Sequence, residues 1–577
     1  MTKNKIKTCP PVFRWLLYSV VSILCVWFFA ADAAELPSRV HDCQDYEADW
    51  SASERSTWTK VCYGRQAILS NVDLGSTLND LTAEERDAAR LSATFINTIL
   101  RQSPYREHFQ NSGFRIQGAE ISEPLLLTDL HVGGPLLLTN CHFSGLVDLS
   151  RSQFLDSVSF LGSTFDQGLM MRGSRVGGGL QLGNSDNSSS RHEATIPVVR
   201  KIDLTGSNVQ GDIDIIDAIL TEEINMELVR VGGTIDIFHV TGHEIILAAG
   251  EVRGQVIIKD SILKPRTKEV DRDKDEYVLI NLFSMRASQD VFLTRTTMQG
   301  PVYLQSAEVG GGLQLMGAHL GAVPGYGHLA GILANGANIK GAFNVGYNGF
   351  PIGQPGGDTT WADNGTLDLS NASVGVISTP LSVKYWPRSI LFTGFKIGSF
   401  NFNIPAGPND KLDDEINWLV KWLRLQRDFA SQPYNHVRSI IVESGDQTAA
   451  AAIGYASRDR ELLESLKSWS LFNASYLVFS KFVIGYGYQM WLPIVWAIGF
   501  VVAGAAIFRR TDEARDEHMP YGFFYSFDML LPLIKLRPRH YDIDLKTSRA
   551  RYYFYFHKIA GWIVGLLILA GISGLTK

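Results

Sequence analysis

The sequence predicts a mainly β protein organised around a parallel β-helix, and two regularities indicate this fold class. Apolar residues recur at intervals of eleven positions: Ile121, Val132, Phe143, Phe154, Phe165, Val176. Four positions after each of them an apolar–x–apolar triplet begins, as in Leu180–Gln181–Leu182. A repeat of fixed period is typical of a solenoid. An alternating triplet is typical of a short strand with one face turned inward.

One repeat unit is long enough for a strand and a corner, so two units would make a coil of about 22 residues. Residues 113–403 are therefore predicted to form a parallel β-helix of roughly a dozen coils. Polar inserts at 183–197, 264–276 and 351–364 are predicted to be surface loops, and the register resumes at Val198. Small residues two positions before the register residues are predicted to lie at the corners: Cys141, Ser152, Ser163, Ser174, Ser207, Ala218, Ala307, Ala318, Ala372.

The N-terminal residues 1–33 are predicted to be a secretory signal segment. Lys3, Lys5, Lys7 and Arg14 precede the apolar run Trp15–Ala31. A basic start followed by an apolar stretch and small residues is typical of such signals. The run is also long enough to be retained as an uncleaved anchor. Either outcome predicts that the rest of the chain is exported.

The cysteine positions agree with export. The chain has five cysteines, of which Cys43 and Cys62 lie close together between the signal and the solenoid. In an oxidising compartment this pair is expected to form a disulfide, although two unrelated buried thiols would have the same spacing. Cys141 is predicted to be a core residue. The sequence contains neither a CxxC motif nor a zinc-ligand spacing, so no metal site is expected.

Helical segments are predicted at both ends of the solenoid. Thr82 and Glu85 form a capping-box pattern that would open a helix over 82–101, within an N-terminal cap of residues 34–112. This helix is expected to cover the open end of the β-helix. On the other side, residues 404–470 are predicted to form a helical hairpin.

Residues 471–577 are predicted to be a membrane domain, with transmembrane spans near 491–508 and 559–575. The connecting loop 509–558 is rich in lysine and arginine, whereas the outer flanks have few basic residues. The positive-inside rule therefore predicts that the two spans lie in the bacterial inner membrane. It places the loop 509–558 in the cytoplasm and the solenoid in the periplasm. Within the loop, Tyr521–Leu533 is apolar but short, and is expected to be either interfacial or re-entrant.

The search for catalytic chemistry yields few candidates. The sequence lacks the serine-hydrolase, zincin, Walker A and dinucleotide-binding motifs, so no catalytic or cofactor-binding residues and no cofactor are assigned. Acidic or amide residues occupy several outward triplet positions: Asp148, Asp203, Asp214, Asn225, Asp236, Asp368.

Three residues are weak candidates for a surface site. Asp214 and Asp236 are 22 residues apart and should stack on adjacent coils, as a cation site or a sugar hydrolase would require. The alternative is that they are ordinary polar surface residues. His239, near Asp236 and His243, is a candidate metal ligand without an identified third partner. The net charge of −6 argues against a nucleic-acid partner.

Several motifs together resemble one family. They are Phe114–Ala119 at the start of the repeats, Gln432–Tyr434, Gly485–Tyr488 and Tyr525–Pro532. This combination resembles bacterial pentapeptide-repeat-like membrane proteins with a two-span C-terminus, some of which are labelled membrane-associated oxidoreductases. The resemblance covers most of residues 80–577 and implies fold and location. No cofactor motif in this chain supports the oxidoreductase label.

The sequence thus favours a non-enzymatic, membrane-anchored periplasmic scaffold or binding protein. Its expected partners are membrane lipid and an envelope protein or glycan, and its oligomeric state is open. One alternative is a carbohydrate-acting or other enzyme on the solenoid flank. Another is an oligomeric channel or signalling protein that uses the segment 521–533.

Overall fold

The structure of the protein is a computed structural model. It describes these residues: 43–70, 82–108, 112–184, 196–266, 277–324, 330–348, 357–408, 410–513, 522–531, 534–542, 545, 549–572. The signal segment 1–33 lies outside them, as do most residues of the three inserts.

A parallel β-helix forms the centre of the molecule, and each coil contributes one short strand to each of four ladders. The first ladder contains Phe114–Gln117, Leu136–Thr139, Val158–Leu161, Leu180–Gly183, Ile213–Ile216, Ile235–Phe238, Val256–Lys259, Val291–Phe292, Leu313–Gln314. The second contains Glu120–Ile121, His142–Phe143, Thr164–Phe165, Val198–Val199, Ile219–Leu220, Thr241–Gly242, Ile262–Leu263, Thr297–Gln299, His319–Gly321, Thr360–Trp361.

The other two ladders complete the coil. The third contains Leu125–Leu126, Val147–Asp148, Leu169–Met170, Ile202–Asp203, Ile224–Asn225, Ile245–Ile246, Ile280–Asn281, Val302–Tyr303, Gly331–Leu333, Thr366–Asp368, Ser389–Leu391. The fourth contains His131–Val132, Gln153–Phe154, Arg175–Val176, Asn208–Val209, Arg230–Val231, Glu251–Val252, Arg286–Ala287, Glu308–Val309. Three longer strands join the fourth and first ladders: Asn338–Asn344, Ser373–Ser378, Lys396–Asn401. The solenoid thus contributes twelve rungs to the first ladder, as the repeat count predicts, and the strand Ala67–Ile68 from the N-terminal region pairs with Phe114–Gln117 as one more rung.

The eleven-residue register is confirmed by the core. Register residues such as Phe143 and Phe165 are fully buried, and their rings stack at a centroid distance of 4.9 Å on successive coils. Within the triplet, Leu180 and Leu182 are buried while Gln181 faces outward. One assignment was wrong: after the first insert it is Val199 that is buried and pairs with Phe165, whereas Val198 is exposed.

The small corner residues are buried as predicted, and the serines among them have a further role. The hydroxyl groups of Ser152, Ser163 and Ser174 donate hydrogen bonds to backbone oxygens of the preceding coil at 2.8, 2.8 and 2.7 Å. A buried carbonyl without a partner would be costly, so these serines both turn the chain and satisfy the corner. Adjacent corner residues often adopt left-handed backbone angles, for example Arg151 with φ of 59°.

The N-terminal cap contains the helices α1 (Ala52–Cys62), α2 (Ala83–Ala89) and α3 (Ala93–Arg101), a 3₁₀ turn (Tyr105–His108) and the strand Ala67–Ile68. The prediction of one helix over 82–101 was wrong. The capping box at Thr82 and Glu85 is present, but the helix is interrupted at Arg90. The N–H of Leu91 donates to the Glu120 oxygen at 3.0 Å, so the break extends the second ladder.

Cys43 and Cys62 form a disulfide that closes a loop of 19 residues within this cap. By loop-closure entropy it should stabilise the cap by roughly 3 kcal/mol. We expect mass spectrometry of the native chain to detect this bond, and Cys43→Ser to lower the free energy of unfolding of the cap by that amount. Detection of two free thiols in the native protein would contradict the expectation.

The opposite end of the solenoid is closed by α4 (Glu415–Arg424), followed by α5 (Ser431–Glu443) and α6 (Gln447–Lys467). Trp418 and Trp422 of α4 are fully buried and pack against Trp386, with ring centroids 6.4 and 5.5 Å away. Helices α5 and α6 form the predicted hairpin, whereas α4 acts as an aromatic plug over the last coil. The N–H of Ile397 on that coil donates to Nε2 of His436 on α5 at 2.9 Å.

The described part of the C-terminal region contains the helices α7 (Leu471–Ile484), α8 (Leu492–Phe508), α9 (Phe523–Leu530) and α10 (Ala550–Ile572). Helix α10 begins nine residues before the span predicted at 559–575. Among the described residues, α10 is the one straight helix long and apolar enough to cross a membrane. Taken together, α7 and α8 are also long and apolar enough to cross a membrane, but the two helices are bent by 113° at the break between them.

Candidate functional site

The structure places the predicted carboxylate pair on the outer face of the first ladder. Asp214 and Asp236 are direct Cα partners on neighbouring strands, as their 22-residue separation predicts. Gln181 precedes Asp214 in the same row, and its Nε2 atom lies 3.5 Å from Asp214 Oδ2. Ile257 follows Asp236. Both carboxylates are half-buried by these neighbours.

The surroundings of the pair favour its uncharged form. Burial raises the pKa of Asp214; the nearby Asp212 also raises it and Gln181 opposes the shift. Burial likewise raises the pKa of Asp236, with further contributions from Asp214 and Asp212, while Lys259 lowers it. Two stacked carboxylates with few compensating donors can share a proton or accept donors from a bound partner.

These shifts predict a pH-dependent effect on stability. Because both pKa values are raised, the folded chain binds the protons more tightly than the unfolded chain. The pair therefore destabilises the fold at neutral pH, and this cost disappears below about pH 3.9, the ordinary pKa of aspartate. Asp214→Asn or Asp236→Asn should raise the free energy of unfolding at neutral pH by about 1 kcal/mol or less. Urea unfolding at neutral and acidic pH measures the difference.

Asp148→Asn is the matched control for that comparison. It should leave stability nearly unchanged because an amide oxygen can replace its carboxylate as an acceptor. Equal effects at neutral and acidic pH would contradict the electrostatic argument. If the double variant Asp214→Asn, Asp236→Asn folds normally but loses a cellular phenotype, the carboxylates would be functional rather than merely polar.

His239 does not join the carboxylate pair. It lies at a corner with φ of 55°, and its Nδ1 atom hydrogen-bonds to Asp217 on the corner of the preceding coil. His243 points elsewhere, with Nδ1 2.7 Å from the backbone oxygen of Lys264. The proximity of Asp236 in sequence therefore does not produce a three-ligand site here. The histidine stabilises a corner through its aspartate partner.

The other outward acidic and amide residues belong to the third ladder and shape the turns. A side-chain oxygen of each accepts a hydrogen bond from the backbone N–H two residues later, at 2.8–3.1 Å: Asp148, Asp203, Asn225, Asp368. This is the Asx-turn arrangement, which mimics a backbone turn. Asp203 is also fully buried and paired with Arg172, so it is not the solvated residue that the sequence suggests. These positions are structural.

A second polar site, which the sequence search missed, lies between the C-terminal helices. It consists of Ser526 and Asp528 on α9, His540 after α9, and His557 on α10, all of them buried. We call these four residues the helical polar core. Helix α9 packs between α8 and α10 through its buried face, while Phe523, Phe524 and Phe527 on its other face are exposed. The expectation that 521–533 is interfacial or re-entrant stays a prediction.

Asp528 is the anchor of the helical polar core. Its carboxylate accepts hydrogen bonds from the backbone N–H groups of Leu536 and Arg537 at 2.9 and 3.1 Å. Nδ1 of His540 lies 2.9 Å from the same carboxylate. Tyr541 donates to the Asp528 carbonyl at 3.2 Å. These contacts fold the chain back along α9 after the helix ends.

Ser526 and His557 link α9 to the long helices on either side. The Ser526 hydroxyl donates to the Val501 oxygen of α8 at 2.8 Å. Nε2 of His557 lies 3.0 Å from the Ser526 carbonyl, to which it can donate, and 3.5 Å from the hydroxyl. Since the hydroxyl proton and the facing imidazole nitrogen are both engaged with carbonyls, this pair is not arranged as a nucleophile and its base. The arrangement is suited to fixing α9 in place.

Comparison with known proteins identifies the repeat. A family model described as pentapeptide repeats, in 9 copies, matches residues 138–186. These residues cover the uninterrupted coils from the strand Leu136–Thr139 to the strand Leu180–Gly183, where no insert breaks the period. The resemblance to pentapeptide-repeat proteins is therefore confirmed for residues 138–186, and the match does not extend to the rest of the solenoid or to the C-terminal helices. No curated protein and no solved structure matches the chain.

Proposed function

We propose that this pentapeptide-repeat scaffold is anchored in the bacterial inner membrane and presents its side faces to a partner in the periplasm. The observation that carries the proposal is the band of exposed apolar side chains on the helices that follow the aromatic plug. Phe472 on α7 is 91% exposed and Leu566 on α10 is 60% exposed. Apolar surface of this extent is typical of a membrane or protein interface.

The build of the solenoid supports a role in binding rather than in enclosing a ligand. Its interior is filled by stacked apolar rungs such as Phe143 and Phe165, and both ends are covered by helices. The surfaces open to a partner are therefore the four flat sides. An envelope glycan or protein is the partner class that fits an exported scaffold.

Reporter fusions test the topology directly. Alkaline phosphatase requires disulfides and is active only in an oxidising compartment. A fusion after Pro408 should be active, and a fusion at Glu517 should be inactive, because the basic loop 509–558 would be cytoplasmic. A third fusion after Lys577 should regain activity, since α10 would return the chain to the periplasm. Immunoblots control for the amount of each fusion, and the reverse activity pattern would overturn the proposal.

An oligomeric channel or signalling protein is a second candidate, and the position of α9 favours it. Gly522 at the start of α9 lies beside Ala505 and Arg509 of α8, and Ser526 lies beside Val501. Helix α9 therefore runs back along α8 until it ends at Leu530, and the chain after it returns to contact the Asp528 carboxylate. Non-helical backbone at membrane depth is tolerated where it is buried or lines a water-filled cavity. Detergent-solubilised particles that contain a single copy of the chain would argue against the channel. Particles in which several copies form a closed ring would favour it.

A further inference from the structure

A third potential metal ligand lies beside the N-terminal disulfide. Nδ1 of His108 is 3.5 Å from Sγ of Cys62. The ligand atoms of Cys43, Cys62 and His108 all lie within 4.8 Å of one another. His108 is 46 residues from Cys62 in the sequence and shows no motif spacing to the two cysteines, so the fold brings it to them.

Local structure fixes the positions of these side chains. Cys62 is the last residue of α1, and His108 ends the 3₁₀ turn Tyr105–His108. The His108 ring meets the ring of Trp58 edge-on, with the centroids 5.6 Å apart and the planes at 90°. Trp58 lies one turn before Cys62 on α1 and is fully buried. The histidine is therefore oriented toward the sulfur by a rigid aromatic neighbour.

The separations match a tetrahedral metal site. Zinc binds thiolate sulfur at about 2.3 Å and imidazole nitrogen at about 2.0–2.1 Å, which places the two ligand atoms about 3.5 Å apart. The Cys62–His108 contact already has this length. The Cα atoms of the two cysteines are 5.6 Å apart, so both thiolates can face one ion after the sulfur–sulfur bond is broken. Each cysteine is 8% exposed, which shields the site while leaving it accessible.

We propose that the N-terminal cap has two states, a disulfide state and a reduced state in which Cys43, Cys62 and His108 bind one Zn²⁺ or a similar soft divalent cation. A dithiol reductant supplies two electrons and two protons to the disulfide and is itself oxidised to a disulfide. Binding of the cation then releases the two thiol protons to solvent. Water fills the fourth coordination position.

The two states would hold the cap in different ways. The disulfide joins Cys43 to the end of α1. The metal would join the same two residues and additionally His108, which lies just before the first solenoid strand, Phe114–Gln117. Reduction of the chain would therefore replace one cross-link with another instead of releasing the cap. This inference is independent of the proposed membrane topology.

Cobalt(II) provides a spectroscopic test on the full-length purified chain. The protein is reduced with a phosphine, which yields two thiols and a phosphine oxide without chelating the metal, and Co²⁺ is titrated in. We expect one cobalt per chain, with thiolate charge-transfer and d–d bands typical of tetrahedral coordination. The oxidised chain should show no such bands. His108→Ala, purified in the folded disulfide state before reduction, should weaken binding at least about tenfold and change the d–d bands.

His319→Ala is the matched control, because His319 is an exposed histidine on a distant coil and its loss should leave the spectrum unchanged. Competition by Zn²⁺ should abolish the cobalt bands. If the reduced wild-type chain binds no cobalt, or if His108→Ala binds it like wild type, the proposal is wrong. Circular dichroism of each variant before reduction excludes misfolding as the cause of lost binding.

Discussion

Leu182→Asp is expected to abolish the folded solenoid, whereas Gln181→Asp at the neighbouring position should be tolerated. Leu182 is 1% exposed and lies between Phe160 and Ile215 on the adjacent rungs. An unpaired carboxylate among these side chains would cost several kcal/mol, because nothing in the stack can solvate it. The loss is comparable to the whole stability of a typical domain.

Gln181→Asp serves as the control because it introduces the same side chain one residue away on the outer face. It would stand beside Asp214 and add a like-charge contact, so a cost of about 1 kcal/mol or less is expected. Soluble yield, circular dichroism and limited proteolysis measure both variants. Tolerance of Leu182→Asp together with loss of fold in Gln181→Asp would show that the inward and outward assignments are reversed.

Gly561→Ala should separate α9 from α10. A Cβ atom on Gly561 would lie 2.0 Å from the backbone oxygen of Leu530, which cannot move without shifting α9. Overpacking of this kind costs about 1–3 kcal/mol or more. We expect a lower melting temperature for the detergent-purified chain and faster proteolysis around α9, since the helical polar core would open.

Gly499→Ala is the matched control on α8. A Cβ at Gly499 would meet no atom within 4 Å, so the substitution should stabilise the helix by roughly 0.5–1 kcal/mol. The two glycine variants thus have opposite expected signs for the same chemical change. Equal stability of Gly561→Ala and Gly499→Ala would show that α9 does not pack against α10 as described.

Much of the solenoid could be predicted because its information is local and repeated. A period of eleven residues determines which side chains face inward, and about a dozen coils with two copies of the pattern each outweigh individual exceptions. The prediction that Val198 is the buried register residue was wrong because Val198 follows an insert. After an insert the chain can shift by one residue without changing the later period. The break at Arg90 was missed because a contact with Glu120, thirty residues away, overrides a sound local helix signal.

The sites were harder to predict for a related reason. The stacking of Asp214 on Asp236 follows from the period, but its partly buried setting depends on Gln181 and Ile257 from other coils. The turn function of Asp148 and Asp203 has a local signal, an Asx residue two positions before a backbone donor, which the outward-facing pattern obscured. The helical polar core joins residues up to 31 positions apart, and no short motif encodes that contact.

The twelve rungs also give the molecule a defined length. With parallel strands about 4.8 Å apart, the first and last rungs are separated by about 50 Å. The rod is rigid because every rung is hydrogen-bonded to the next. If it stands upright on the anchoring helices, the disulfide cap is held about 50 Å from the bilayer surface, and the scaffold becomes a fixed-length spacer between membrane and partner. If the apolar run Trp15–Ala31 is instead retained in the membrane, both tips are tethered. The eleven residues between Ala31 and Cys43 span at most about 40 Å, so the rod would have to tilt toward the bilayer.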